Sequence, residues 1–338
     1  MDYRTLGNTG LRVSVLGLGA LHFGTYNDLA STRHIVHYAM DAGINFIDTA
    51  PSYGNGLSES FIGQVLGARR SEVLLGTKVG RTLSRLPDGS GNVMELPLTR
   101  DNIRRSLHAS LRKLGTDYVD LYQIHAFDQI VPLDITLSAI EELVQEGKVR
   151  FVGCSNFLRH EMESLVMASS GFKDLNLISL QTRYNLIERY PERALSPVCQ
   201  KLGASFICYH ALARGILTGK YQWNQNIPEG SRAQLSVRVR NALSEQRLQA
   251  IDQIRHLGML YSRSMTELAI AWLLARPTVG TIVIGVRSIQ QLAMNILAQS
   301  WQFPENLAMQ IDEIFENAGL LSNIYALPED LVQEGVSH

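Results

Sequence analysis

The chain has 338 residues, 45% of them apolar and 19% charged, with a formal net charge of −1. That is enough chain for a large core, and a balance so close to neutral gives no electrostatic reason to expect nucleic acid or an anionic membrane as a partner. No apolar run approaches the roughly 18 residues of a membrane span, and MDYRTLGNTGLRVS at the start lacks a secretory pattern. Three cysteines, Cys154, Cys199 and Cys208, are too few and too odd in number for a disulfide framework. A cytoplasmic setting is the expectation, with Cys154 and Cys208, in apolar strand sequence, as buried inert thiols.

In chain order, YRTLGNTGLRVS reads as a small hairpin turning at Gly7, Asn8 and Gly10, with Leu6 and Val13 facing inward. VSVLGLG follows as a first strand. A helix then carries Ile35, Val36, Ala39 and Ala42 on one face and stops at Gly43. From there apolar strand sequences recur roughly every 30 residues, the length that one strand, one helix and two loops require. They are NFID, EVLLGTK, VDLYQIH, VRFVGCSN, LISLQ, ASFICY and TIVIG. Between them lie helical stripes: Ile103, Leu107, Leu111 and Leu114, then Leu137, Ile140 and Val144 before Gly147. Near-continuous apolar runs suit parallel strands buried on both faces. The pattern predicts an α/β chain forming one domain over residues 1–338, a (β/α)8 TIM barrel with an N-terminal β-hairpin, whose bottom Leu6 and Val13 close. Two segments break the period: Gly80 to Pro97, a turn-rich loop after the third strand, and Ala211 to Ser244 after the seventh. Long loops in compact domains are usually functional. The residues from about 319 have little pattern and read as a flexible tail.

Parallel strands place their C-terminal ends on one face, where barrels build active sites. Asp48, Lys78, His125, Ser155, Asn156, Gln181 and Tyr209 all end strands, so an acid, a base, an imidazole and two amides share one mouth. That combination points to an enzyme. GINFIDTAPSYGNGLSESFIG, LYQIHAFD, GKVRFVGCSNF and YHALARGILTGKY, in this order, resemble the signatures of the aldo-keto reductases, and the resemblance spans about Tyr3 to Asn317. It implies a barrel that binds a nicotinamide dinucleotide without a Rossmann fold. The sequence is consistent with this, having no G-x-G-x-x-G between a strand and a helix.

The resemblance implies a catalytic tetrad of Asp48, Tyr53, Lys78 and His125. Reducing a carbonyl by hydride transfer leaves an alkoxide that needs a proton. A phenol with a pKa near 10 is a weak donor, and an ammonium beside it is expected to lower that pKa. Lys78 would do so for Tyr53, Asp48 would hold Lys78, and a neutral His125 would orient the carbonyl oxygen. The resemblance also implies Ser155, Asn156 and Gln181 on the carboxamide and Tyr209 stacked on the nicotinamide ring. His210, Leu212, Arg214, Gly215, Gly285, Arg287, Gln291 and Asn295 would line the rest of the dinucleotide. Ser288 and Gln291 form a capping pattern, so the last barrel helix starts near Ser288. A helix N-terminus favours anions, and the resemblance places an adenosine 2′-phosphate at Arg287. NADPH is therefore the expected cofactor, with NADH as the alternative. His210 stands where relatives often carry serine, and Met294 where many carry an acid.

His22, Phe23, Tyr26 and Phe127 are expected to line the substrate mouth. Arg232, Arg238 and Arg240 could attract phosphate or carboxylate substrates, with a solvated loop as the safer reading, and His34 with His37 lacks the further ligands of a metal site. The expected activity is reduction of small aldehydes or ketones to alcohols by NADPH, reversibly, with Tyr53 as the general acid. An NAD-dependent aldose dehydrogenase on the same tetrad is the first rival. A slow-turnover regulatory protein similar to the potassium-channel beta subunits is the second.

Overall fold

A computed structural model describes residues 1–85 and 91–327. Eight strands form the barrel: β1 (Leu16–Gly19), β2 (Phe46–Asp48), β3 (Leu74–Val79), β4 (Val119–Ile124), β5 (Val149–Ser155), β6 (Leu177–Arg183), β7 (Ser205–Tyr209) and β8 (Val279–Ile284). The hydrogen-bonded order is β6-β7-β8-β1-β2-β3-β4-β5, every pairing is parallel, and β5 closes the ring onto β6. The helices that follow each strand are α1 (Leu29–Asp41), α2 (Ser58–Leu66), α3 (Arg100–Leu114), α4 (Leu133–Gln145), α5 (Arg159–Ser169), α6 (Ser196–Leu202), α7 (Met265–Leu274) and α8 (Ile289–Leu297). The barrel is thus the one that the apolar period predicts.

The local signals act as expected in most places. Ile35, Val36 and Ala39 of α1 are buried, and Asp28 caps the helix by accepting from Ser31 N at 2.8 Å. All four stripe residues of α3 are buried. In α4 the inward position belongs to Leu143 rather than Val144, which is half-buried. Tyr3–Thr5 pairs antiparallel with Arg12–Ser14 below the barrel. Leu6 and Val13, at 1% and 0% exposure, join Phe46, Leu121, Ile178, Ile207 and Val283 in an apolar plug.

Two segments depart from the expectation. The loop after β3 is a hairpin: Arg81–Arg85 pairs with Gly91–Glu95, register Leu83 opposite Val93. Equal short runs flanking a Pro-Asp-Gly-Ser-Gly stretch are a hairpin signal. The tail is ordered through its first residues, because Leu321–Tyr325 is a helix that buries Ile324 and whose Ile324 O accepts from Arg189 N. The tail beyond residue 327 lies outside the described residues. No helix among the described residues is long and apolar enough to cross a membrane.

Candidate active site

β2 delivers Asp48, β3 delivers Lys78 and β4 leads directly into His125. Tyr53 sits on the 3-10 turn Tyr53–Gly56 that follows β2. That turn is tight against the loop after β1. Gly54 has φ +58°, and a Cβ there would stand 1.7 Å from Phe23 O, so only glycine lets the chain pass. The turn brings Tyr53 OH to 3.1 Å from Lys78 Nζ. Lys78 is 0% exposed, and its Nζ also donates to Asp48 Oδ2 at 2.7 Å and to Thr49 O at 2.9 Å. All three ammonium protons therefore have acceptors, as a buried cation requires.

Asp48 is clamped from its other side. Gln123 Nε2 from β4 and Gln181 Nε2 from β6 each donate to Asp48 Oδ1 at 2.9 Å. Gln123 is a member of the site that the sequence reading missed. It stands two residues before His125, on the same inward parity, in a run otherwise apolar. Gln181 spends one of its two amide protons on Asp48 while lining the same cavity as Asp48.

The electrostatics separate the three titrating groups. Burial pulls Lys78 down, but Asp48 and Tyr53 outweigh it, and the ammonium pKa ends raised. Burial raises Tyr53; Lys78 opposes this and Asp48 adds to it, and the net direction is up. Lys78 acts to lower the phenol as expected, by its charge and its hydrogen bond, but burial outweighs it. Tyr53 holds its proton at neutral pH. Burial, then Lys78 and Arg81, hold His125 well below the usual imidazole range, so that the ring is neutral. The Tyr53 and His125 rings lie edge to face at 5.9 Å.

Asp48, Tyr53 and His125 line one cavity of about 650 Å³, with Lys78 beneath its floor. All twelve residues expected to hold a dinucleotide line the same cavity: Ser155, Asn156, Gln181, Tyr209, His210, Leu212, Arg214, Gly215, Gly285, Arg287, Gln291 and Asn295. Asn156, at φ +60°, accepts from Tyr209 OH at 2.6 Å through Oδ1. The capping pattern at α8 is real: Ser288 Oγ accepts from Gln291 N at 3.3 Å, and Gln291 Oε1 accepts from Arg287 N at 2.9 Å. Ser155 Oγ and His210 Nδ1 are buried in the wall without a partner among the described residues. Burial, then the arginines led by Arg214, keep His210 well below its ordinary pKa and neutral. These two orphaned groups and the cationic wall fit a polar, anionic ligand such as a nicotinamide dinucleotide.

The substrate set needs correction. His22 lines the cavity, but Phe23 is 0% exposed inside the core, because an apolar ring gains more there than at a wet mouth. Phe127 packs edge to face on Phe157, and Tyr26 stacks under the Arg287 guanidinium at 3.5 Å; neither forms cavity wall. Arg232 turns into the wall, whereas Arg238 and Arg240 stay exposed. Burial and then Arg287 lower the Arg232 pKa. Arg81, Arg183 and Lys220 are further lining cations. No group of three or more His, Cys, Asp or Glu among the described residues is arranged to hold a metal.

The model of the Aldo/keto reductase family matches residues 15–316. An uncharacterized oxidoreductase of Bacillus subtilis is 34% identical over 327 residues, covering 94% of this chain and 97% of its own. The L-glyceraldehyde 3-phosphate reductase of Escherichia coli K12 is 33% identical over 327 residues, covering 93% and 92%. Among solved structures, the glycerol dehydrogenase of Gluconobacter oxydans superposes with a TM-score of 0.83 at 26% identity, covering 97% of each chain.

Proposed function

The chain belongs to the aldo/keto reductase family as an NAD(P)H-dependent oxidoreductase, and from that premise we propose that it reduces small aldehydes or ketones with NADPH, reversibly, with Tyr53 as the proton donor. One observation carries this reading. A protonated, buried phenol lies 3.1 Å from a lysine that is itself held by Asp48, beside a neutral imidazole, in one cavity with a cationic wall.

The dihydronicotinamide, when bound, supplies the hydride to the carbonyl carbon. The chain handles the charge that this leaves on oxygen. A neutral His125 donates a hydrogen bond to that oxygen, which strengthens as charge develops there. Tyr53 gives the oxygen its phenolic proton. Lys78 stabilises the phenolate left behind, and Asp48, fixed by Gln123 and Gln181, keeps Lys78 in place. In the reverse direction the same phenolate accepts the alcohol proton. Ser155, Asn156, Gln181 and Tyr209 would hold the nicotinamide end, and Arg287, at the capped start of α8, the adenosine 2′-phosphate.

The relatives' names include a reductase and a dehydrogenase, so both directions are to be measured. The test compares wild type with Tyr53→Phe. NADPH oxidation with an aldehyde panel should fall on the order of 10² or more in turnover, while NADPH binding, read by fluorescence quenching, survives. Near wild-type turnover in the variant would remove Tyr53 from the reaction.

A further inference from the structure

We propose that Asn185 is a positioning residue for the cofactor: from behind the cavity wall it holds residues 210–215 in the backbone conformation that faces the dinucleotide. This rests on the reading of the cavity as a nicotinamide dinucleotide site. His210, Ala211, Leu212, Arg214 and Gly215 line the cavity. Asn185 is no part of its wall and is 0% exposed. Any effect of its side chain on a bound ligand therefore passes through that segment.

The segment is strained. His210, Ala213 and Arg214 have φ of +57°, +45° and +56°, in the left-handed region that L residues rarely enter. Such a run persists only where its surroundings hold it. Its own backbone supplies part of the hold: Ala213 N donates to His210 O at 2.7 Å, and Gly215 N to Leu212 O at 2.8 Å. A further tether comes from the end of β6. The pairing of β6 with β7 runs to Arg183 opposite Tyr209. Tyr184 N then donates to Tyr209 O at 3.4 Å. One residue on, the Asn185 side chain takes over, Nδ2 donating to His210 O at 3.0 Å. Asn185 thus extends the ladder by one rung, to the residue where the chain turns left-handed.

The Asn185 amide is fixed by its partners. Its Oδ1 accepts from Ile187 N at 3.0 Å, and its Nδ2 also donates to Glu188 Oε2 at 2.6 Å. Glu188 in turn accepts from Arg183 Nη1 at 3.2 Å. The loop that carries Asn185 is anchored from outside by Arg189, which is 1% exposed. Arg189 Nε donates to Leu186 O at 3.0 Å, and its guanidinium pairs with Asp312 and lies 4.5 Å from the Trp272 ring centre. Its backbone N donates to Ile324 O in the C-terminal helix Leu321–Tyr325. A locked amide on an anchored loop makes a firm support for the wall in front of it.

The experiment titrates NADPH by fluorescence quenching, well below every melting midpoint, in wild type, Asn185→Ser and Leu6→Ala. Serine keeps a local acceptor for Ile187 N, as it does in such turns, but is too short to reach His210 O. Leu6→Ala loses packing at the opposite end of the barrel and reports lost stability alone. Asn185→Ser should raise the NADPH Kd by about ten-fold, the scale of one buried hydrogen bond. Leu6→Ala should leave Kd unchanged despite an equal or larger fall in melting midpoint. Ala213→Gly relieves one left-handed residue without altering a cavity-lining side chain. Added to Asn185→Ser, and measured against Ala213→Gly alone as a double-mutant cycle, it should recover part of the lost affinity. An unchanged Kd in Asn185→Ser overturns the proposal and leaves Asn185 as a loop residue only. So does an equal rise in Leu6→Ala, or no recovery in the double variant. A wild type that binds neither NADPH nor NADH would instead remove the underlying reading of the cavity.

Discussion

The two ends of this barrel are built from the same eight strands and obey opposite rules. At the bottom, Leu6 and Val13 of the hairpin meet Phe46, Leu121, Ile178 and Ile207, all apolar and all buried. At the top, equally buried positions hold Asp48, Lys78, Gln123 and Gln181. Burying apolar surface is favourable on its own. Burying an ion pair is close to neutral at best, and only when every proton and lone pair is satisfied. One end of the barrel therefore supplies stability, and the other is a charged network that stability holds in place.

The largest effect should come from breaking the top network. Lys78→Met leaves Asp48 buried without its cation and should lose about 3–5 kcal/mol of stability together with turnover. Urea unfolding checks this. A loss below about 1 kcal/mol would mean that the two glutamines alone satisfy the carboxylate. Leu6→Ala at the bottom should cost about 2–5 kcal/mol through the cavity that it opens, with kcat/KM for NADPH-dependent reduction unchanged. Activity falling out of proportion to stability would blur the division between the ends.

At the rim, Arg287→Ala should weaken NADPH by about ten- to a hundred-fold and leave NADH nearly unchanged, because only NADPH carries the 2′-phosphate. Paired titrations at fixed ionic strength decide it, and equal weakening would shift Arg287 to the adenine or the pyrophosphate. The smallest effect concerns acid. Burial, then Arg287 and Arg232, hold the folded His22 pKa at about 4 against 6.5 in its ordinary state. The unfolded chain then binds the extra proton first, so stability declines as pH falls from about 6.5 toward 4. His125 and His210, also held low, act in the same sense. His22→Asn should shallow the decline of the melting midpoint between pH 7 and 4.5, and an identical slope would exclude His22.

Much of the top end was legible because inward parity and strand ends are one-dimensional facts. Asp48, Lys78 and His125 close apolar runs, so their position implied their company. Gln123 was open to the same logic and was passed over because it lies inside its run. Direction is harder to read than depth. Phe23, Tyr26 and Phe127 sit near the mouth in sequence, but whether a ring turns inward depends on packing from other strands. Arg232 faces the wall because Ala233 and Val239 pin its loop from the core side, which no charge pattern discloses. The raised Tyr53 pKa is the sum of burial and two opposed charges, and sequence gives neither their distances nor their shielding.

The hairpin that begins at Arg81 starts three residues after Lys78 and pairs with itself, not with the barrel. Its length and side chains can therefore change while the strand that carries the lysine stays untouched. Such an appendage divides heredity within one chain: the proton relay is handed down intact, while the arm beside it is free to be rewritten for each new diet of substrates.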